Sequence, residues 1–287
     1  MFHYTKEITR RAEEVASSGS AEITIKILRA LSLADFGEVF WSLPSSAFPN
    51  LSAVLPKMAD ALVQDNWTGT NGHTLLAQTL AFVSCVRTNF TECFRRKMEN
   101  LDVLDFGCGY GRFIRLMYYF TEPSRIWGVD PWDEALKLCK DDRVIANFGL
   151  SDYYPITLPV DDQKFELIYA FSVFTHTSER ATRFALQALR RCAAPQCLCF
   201  ITIRPEEYWS MNSGSESASE GVVREHRENG FAFRPHNLPP INGDIYFGDT
   251  SMTIEWLKKA AAPNWEIRGL DRSLSDPYQL VVILKPA

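Results

Sequence analysis

The chain is poor in the features that would make it cross-linked, membrane-borne or a binder of nucleic acid. Its seven cysteines, at 85, 93, 108, 139, 192, 197 and 199, are an odd, scattered set without a Cys-x-x-Cys pair. Most fall in apolar-periodic segments, where a free thiol behaves as a small core residue. A disulfide framework and a zinc site are therefore excluded, no metal is expected, and a reducing compartment is predicted. No apolar run approaches the ~18 residues that would span a bilayer. The start, MFHYTKEITRRAEEVASSGS, has no apolar signal region, so a cytoplasmic protein without a membrane partner is expected. Positive charge is in deficit, with 30 Lys and Arg against 35 Asp and Glu and a net charge of −5. That balance gives no electrostatic reason to expect a nucleic-acid partner. Internal repeats are also missing.

With 46% hydrophobic and 23% charged residues over 287 positions, the chain reads as soluble and globular. It is long enough for one large domain or a domain with an appendage. Residues 1–100 are mainly helical in pattern. AEITIKILRAL places Ile23, Ile27, Leu28 and Leu31 on one helical face, and HTLLAQTLAFVSCVRTNF does the same with Leu76, Leu80, Val83 and Phe90. From about Leu101 strands and helices alternate: DVLDF, RFIRLMYYF, IWGVD, DEALKLCK, RVIAN, FELIYAF, SERATRFALQALRRCA and CLCFITI. This alternation predicts an α/β fold, a mostly parallel sheet with helices on both faces. An irregular, polar insertion is expected at about 205–250. Helix TIEWLKKAA and an antiparallel pair, WEIRGLD and YQLVVILK, close the chain.

The informative stretch is VLDFGCGYGRF, residues 103–113. Gly107, Gly109 and Gly111 end a strand and open a helix, where glycine permits positive φ and lets a ligand approach the main chain. Asp130 ends the next strand, where a carboxylate can accept both hydroxyls of a ribose. A dinucleotide fingerprint would put a third glycine at Arg112, and Asp105 would oppose a pyrophosphate, so a nicotinamide-dependent oxidoreductase is disfavoured. An adenosine joined to an ammonium-bearing group suits Asp105 better.

VLDFGCGYGRF, then IWGVDPWDEAL, then DYYPITLPVDDQKFELIYAFSVFTHTSE resemble the successive motifs of class I S-adenosylmethionine-dependent methyltransferases, of the type 11-like group with a Rossmann-like fold. The resemblance covers roughly residues 101–203 and the closing helix and hairpin. It implies a seven-stranded, mostly parallel sheet with a C-terminal antiparallel hairpin, and S-adenosyl-L-methionine as cofactor. By position it implies that Asp105, Gly107, Gly109 and Gly111 hold the methionine end and Asp130 the ribose, with Pro131 and Trp132 beside the adenine. Asp152 would accept from the adenine amino group, Tyr153 would lie near the ring, and Phe171 and Ser172 would line the departing methyl. The strand FEL departs mildly from the usual Phe-Asp. The region 1–100, expected to cover the active site, and the insertion at 205–250, expected to act as a substrate lid within a domain spanning 101–287, lie outside the shared core.

Methyl transfer needs in-line alignment, and a hydroxyl acceptor also needs a base. His176 follows the fourth strand and is the first candidate, or else a residue that fixes the start of the next helix. His226, His236 and Asp249 in the insertion are further candidates, with Tyr246 beside them. Trp67, in DNWTGTNGH, is read as an aromatic wall over the cofactor or a core residue. Asp161-Asp162 precedes its strand and reads as a solvated turn. The sequence thus points to methyl transfer to a hydroxyl of a small molecule or glycan. An N-methyltransferase acting on a small amine and a catalytically idle cofactor-binding interaction module are the alternatives.

Overall fold

The computed structural model describes residues 3–212, 216–273 and 275–287, and its contacts gather into two units, residues 1–148 and 149–287. The first unit opens with six helices: α1 (His3–Ala16), α2 (Ala21–Leu28), α3 (Leu33–Trp41), α4 (Pro49–Val54), α5 (Ala61–Thr68) and α6 (Gly72–Phe94). Three of them start where the sequence supplies a capping oxygen. Ser20, Ser32 and Asp60 accept from the backbone N–H of Ile23, Asp35 and Val63, which satisfies a donor the helix itself cannot. There follow β1 (Val103–Phe106), α7 (Arg112–Met117), β2 (Ile126–Asp130), α8 (Asp133–Asp141) and β3 (Asn147–Leu150), the last running across the boundary. The helical region is packed onto this part of its own unit. A Cβ on Gly37 of α3 would come within 2.9 Å of Leu76 on α6 and 3.3 Å of Leu116 on α7, so three helices meet where only a hydrogen fits. Arg29 donates to the carbonyls of Tyr118 and Thr121, each at 2.7 Å, and pairs with Glu122 at 2.8 Å, closing the end of α7.

The second unit holds β4 (Phe165–Ala170), α9 (Glu179–Cys192), β5 (Ala193–Ile203), α10 (Tyr208–Asn212), α11 (Glu216–Asn229), β6 (Phe231–Pro235), β7 (Gly248–Met252), α12 (Ile254–Ala261), β8 (Trp265–Arg272) and β9 (Leu280–Pro286). The strands form one seven-stranded sheet in the order β3-β2-β1-β4-β5-β9-β8, and β6 and β7 form a separate pair. β1–β2 and β4–β5 are parallel, while β5–β9 and β8–β9 are antiparallel. All four residues of β1 are buried, as a strand covered on both faces requires. β8 ends the sheet, carries a bulge between Ile267 and Gly269, and exposes Glu266, Arg268, Asp271 and Arg272. No helix among the described residues is long and apolar enough to cross a membrane.

The expected sheet, with its antiparallel close, is the one found. Three local expectations need correction. Ile23 is 53% exposed, and the buried stripe of α2 is Thr24, Ile25 and Leu28. The strand read at RVIAN begins only at Asn147: Arg143 has φ +58 and donates to the carbonyls of Ser52 and Ala53, which holds the chain in a turn. The insertion read as irregular is regular for most of its length, with α10, α11 and the β6–β7 hairpin. Its apolar signal is diluted: among the described side chains of α11, Val222 and His226, one helical turn apart, are the buried ones, and they face Trp209, Ala232 and Ser251.

Candidate functional site

In the first unit the main chain after β1 turns through three left-handed glycines, with φ of +76, +53 and +75 at Gly107, Gly109 and Gly111. A Cβ on Gly111 would meet Val144, Cys139 and Arg115 at 3.2–3.4 Å, so side chains are excluded by space as well as by φ. The turn is anchored at several points. Gly107 and Cys108 donate to the Val129 carbonyl, at 2.8 and 3.1 Å. Cys139 donates its S–H to the Gly109 carbonyl at 3.2 Å. Arg115, fully buried, donates to the carbonyls of Tyr110 and Lys57 and lies 3.7 Å from Asp142. Burial pulls the Arg115 pKa down, and the surrounding phenols and Asp142 work against that.

Asp130 ends β2, 8% exposed. Its Oδ2 accepts from Gly109 N–H and its Oδ1 from Trp132 N–H, each at 2.9 Å. Burial raises its pKa and these two N–H groups oppose the shift. Each carboxylate oxygen has two acceptor sites, so each keeps one for a ligand hydroxyl, and a vicinal diol suits that pair. Asp105 is buried at the end of β1, and Pro131 follows Asp130. Trp132 is 40% exposed and packs against Trp67 of α5, with ring centroids 4.4 Å apart. Trp67 also lies 3.8 Å from where a Gly109 Cβ would sit and 5.7 Å from the Tyr110 ring. The last turn of α5 thus brings the Trp67 indole onto the glycine turn.

In the second unit β4 and β5 carry the other candidates at their carboxyl ends. Ser172 adopts φ +60, unusual for a side-chain-bearing residue. Its N–H donates to Thr202 Oγ1 at 2.7 Å, and Gln279 donates to its hydroxyl at 3.2 Å. Phe171 precedes it, half-buried. Asp152 is exposed, and the Tyr153 ring packs at a tilt against Tyr246, with centroids 3.8 Å apart.

The segment 244–252 runs back along the loop after β4. Tyr154 and Ser178 both donate to Asp244 at 2.7 Å. Ser178 N–H donates to the Tyr246 carbonyl, Gly248 N–H to the His176 carbonyl, and Thr250 N–H to the Thr175 carbonyl. A Cβ at Gly248 would lie 2.1 Å from the Arg234 carbonyl oxygen, so this hairpin closes only on glycine.

That docking assembles His176, His236 and Asp249, together with Arg204, Tyr208 and Phe247. The Gly248 carbonyl can only accept, so His176 Nδ1 carries the hydrogen of their 2.8 Å bond; Nε2 then accepts from Arg204 at 3.2 Å. Burial, then the adjacent guanidinium, push the His176 pKa down to about 4. Asp249 Oδ1 accepts from Arg204 at 2.6 Å and from Tyr208 at 2.8 Å, while Oδ2 faces His236 Nε2 at 3.2 Å. Burial acts to raise the Asp249 pKa, but these donors hold it below the usual carboxylate range. His236 is 45% exposed at its side chain. Phe247 is 38% exposed, stacks flat on His176 with centroids 5.0 Å apart, and meets His236 edge-on.

His226 stands apart from these three. It is buried, and its Nδ1 bonds to Ser251 Oγ at 2.7 Å, where Trp209 also donates. The sequence reading missed Arg204, Tyr208 and Phe247. Arg204 had a signal, a lone arginine directly after the apolar run CLCFITI. The other two are legible only once the hairpin is docked.

The depressed His176 pKa has a consequence for stability. Between pH 6.5 and about 4 the unfolded chain takes up a proton that the folded chain refuses. The stabilisation is therefore complete above pH 6.5 and is lost as pH falls through that window, by about 3 kcal/mol from this group. Urea midpoints at pH 7 and 4.5 should show the loss in the wild type and a smaller one in His176→Gln. Parallel losses would remove His176 as the cause.

The family description "Methyltransferase domain" matches residues 103–196. No curated protein matches the chain in sequence. Among solved structures, an S-adenosylmethionine-dependent methyltransferase from Clostridium acetobutylicum superposes with a TM-score of 0.51 at 13% identity, covering 79% of this chain and 97% of that one. The DhpI–SAH complex gives a TM-score of 0.51 at 12% identity, covering 79% and 91%. At these identities the likeness is one of fold. Residues 103–196 thus match the methyltransferase-domain family, and the chain carries the seven-stranded α/β fold of the Clostridium acetobutylicum S-adenosylmethionine-dependent methyltransferase.

Proposed function

We propose that the chain transfers the methyl group of S-adenosylmethionine to a hydroxyl oxygen of a small molecule or glycan, with His236 and Asp249 as the base and its partner. The observation that carries this reading is the 3.2 Å pair between His236 Nε2 and Asp249 Oδ2. If Nε2–H donates to the carboxylate, the imidazole is fixed in one tautomer with its Nδ1 lone pair available. Asp249 is itself held by Arg204 and Tyr208, so it is a fixed acceptor that steadies the imidazolium once formed.

When bound, S-adenosylmethionine supplies an electrophilic methyl on a sulfonium. Asp130 would hold its ribose, Asp105 and the glycine turn its methionine end, and Pro131 and Trp132 would lie beside the adenine, with Asp152, Tyr153, Phe171 and Ser172 completing the cofactor set. His236 Nδ1 would take the hydroxyl proton as the acceptor oxygen gains the methyl. His176, with Nε2 turned to Arg204, would orient the hairpin and Arg204 in place of taking the proton. The exposed ring of Phe247 beside the dyad offers a face for the acceptor body.

Mass spectrometry of acceptor panels tests the reading. Hydroxyl-bearing sugars and phenols incubated with protein and S-adenosylmethionine should gain one methyl on oxygen, and matched primary amines should not. Methylation of the amines alone would overturn it.

A further inference from the structure

A second group of cations lies at the other ends of the same strands. Lys164 immediately precedes β4, Arg190 and Arg191 close α9 just before β5, and Asn264 precedes β8. Together with Gln187 they line an open cleft of about 540 Å³, whose remaining walls are Ala193 and Pro195. β4 has six residues, so at about 3.3 Å per residue this cleft is roughly 20 Å from Ser172 and His176. It is separate from the acceptor cluster.

Its charge is one-sided. The walls include three cations and no carboxylate; Asp161, Asp162 and Glu166, near in sequence, are not among them. Among the described residues, Lys164, Arg190 and Arg191 form no ion pair, and the hydrogen bonds they donate go to main-chain carbonyls. Lys164 donates to Arg191, Arg190 Nε to Asn264 at 3.0 Å, and Arg191 to Ile156. Each head group is thus fixed by one bond and keeps further donors, since a guanidinium has five N–H groups and an ammonium three. Three like charges gathered on a chain of net charge −5 repel one another unless an anion sits among them.

We propose that this cleft binds a small molecule carrying a di- or triphosphate. Three cations on two chain segments exceed what one phosphate needs. Arginine forks match phosphate oxygens two at a time, and a lysine adds a point charge. The volume lies within the range of small-ligand sites, so there is room for an organic body against Ala193 and Pro195. The site is independent of the methyl-transfer reading.

Calorimetry on the full chain at low ionic strength tests it, using pyrophosphate, cytidine triphosphate, inorganic phosphate and cytidine. The pyrimidine avoids a site shaped for adenosine. Saturable binding of pyrophosphate and the triphosphate is expected, with phosphate weaker by about tenfold and cytidine silent, and 0.5 M salt should weaken it. Lys164→Gln and Arg191→Gln, both at exposed positions, should each lose about tenfold in affinity for pyrophosphate. S-adenosylmethionine affinity should stay unchanged in both. Cations that serve only the C-terminus of α9 would give variants that melt lower but bind as the wild type does. That result, or no saturable binding of pyrophosphate by the wild type, overturns the proposal.

Discussion

His236→Gln should lower turnover on a hydroxyl acceptor by about 10²–10⁴-fold, the contribution of a positioned base, with cofactor affinity left at its wild-type value. Glutamine keeps a donor for Asp249 but has no basic nitrogen. Asp249→Asn should lose nearly as much, because the amide can no longer stabilise an imidazolium, and its Tyr208 and Arg204 contacts would be weakened as well. His176→Gln should cost much less, since its Nε2 already faces Arg204 at 3.2 Å and burial disfavours its charged form. Near-normal turnover in His236→Gln would pass the base to His176, and tolerance of both exchanges would favour an amine acceptor.

Asp130→Ala should weaken S-adenosylmethionine binding by about 10²–10⁴-fold. Two hydrogen bonds to a charged acceptor, each ~1.5–3 kcal/mol and not fully additive, set that range. The exchange also strands the N–H groups of Gly109 and Trp132, which Asp130 accepts from at 2.9 Å, so the glycine turn loosens even without ligand. Asp130→Asn keeps one carbonyl acceptor and should fall between the two. Equilibrium dialysis with labelled cofactor measures the series, and an unchanged affinity in Asp130→Ala would mean that the ribose is held elsewhere.

These two experiments probe what was most and least legible in the sequence. Asp130 and the three glycines stand out because the turn needs positive φ at fixed alternate positions and the next strand must end on an acceptor, requirements local to a few residues. The parallel sheet was legible for a similar reason, since its strands are short apolar runs separated by helical periods. The proposed acceptor side was not. His236 and Asp249 are 13 residues apart and meet only because β6 pairs with β7 in a register that sets Arg234 opposite Asp249. Arg204 reaches Asp249 from just past the end of β5. The stripe that folds α11 onto this hairpin includes a histidine, His226, bonded to Ser251, so hydrophobic periodicity alone passes over it. Arg115 was equally silent, a charged residue that lies wholly buried to hold two carbonyls.

The outer strand β8 bears on how the protein behaves in concentrated solution. An unpaired sheet margin is a template on which another chain can add, and flat apolar margins seed aggregates. Here the margin is broken by the bulge at Ile267–Gly269 and presents charges of both signs at Glu266, Arg268, Asp271 and Arg272. A second molecule attempting to extend the sheet would meet a twist it could not follow and ions it would have to desolvate. Leu270, 50% exposed, is a large apolar side chain on that rim, and charged residues flank it at Arg268, Asp271 and Arg272.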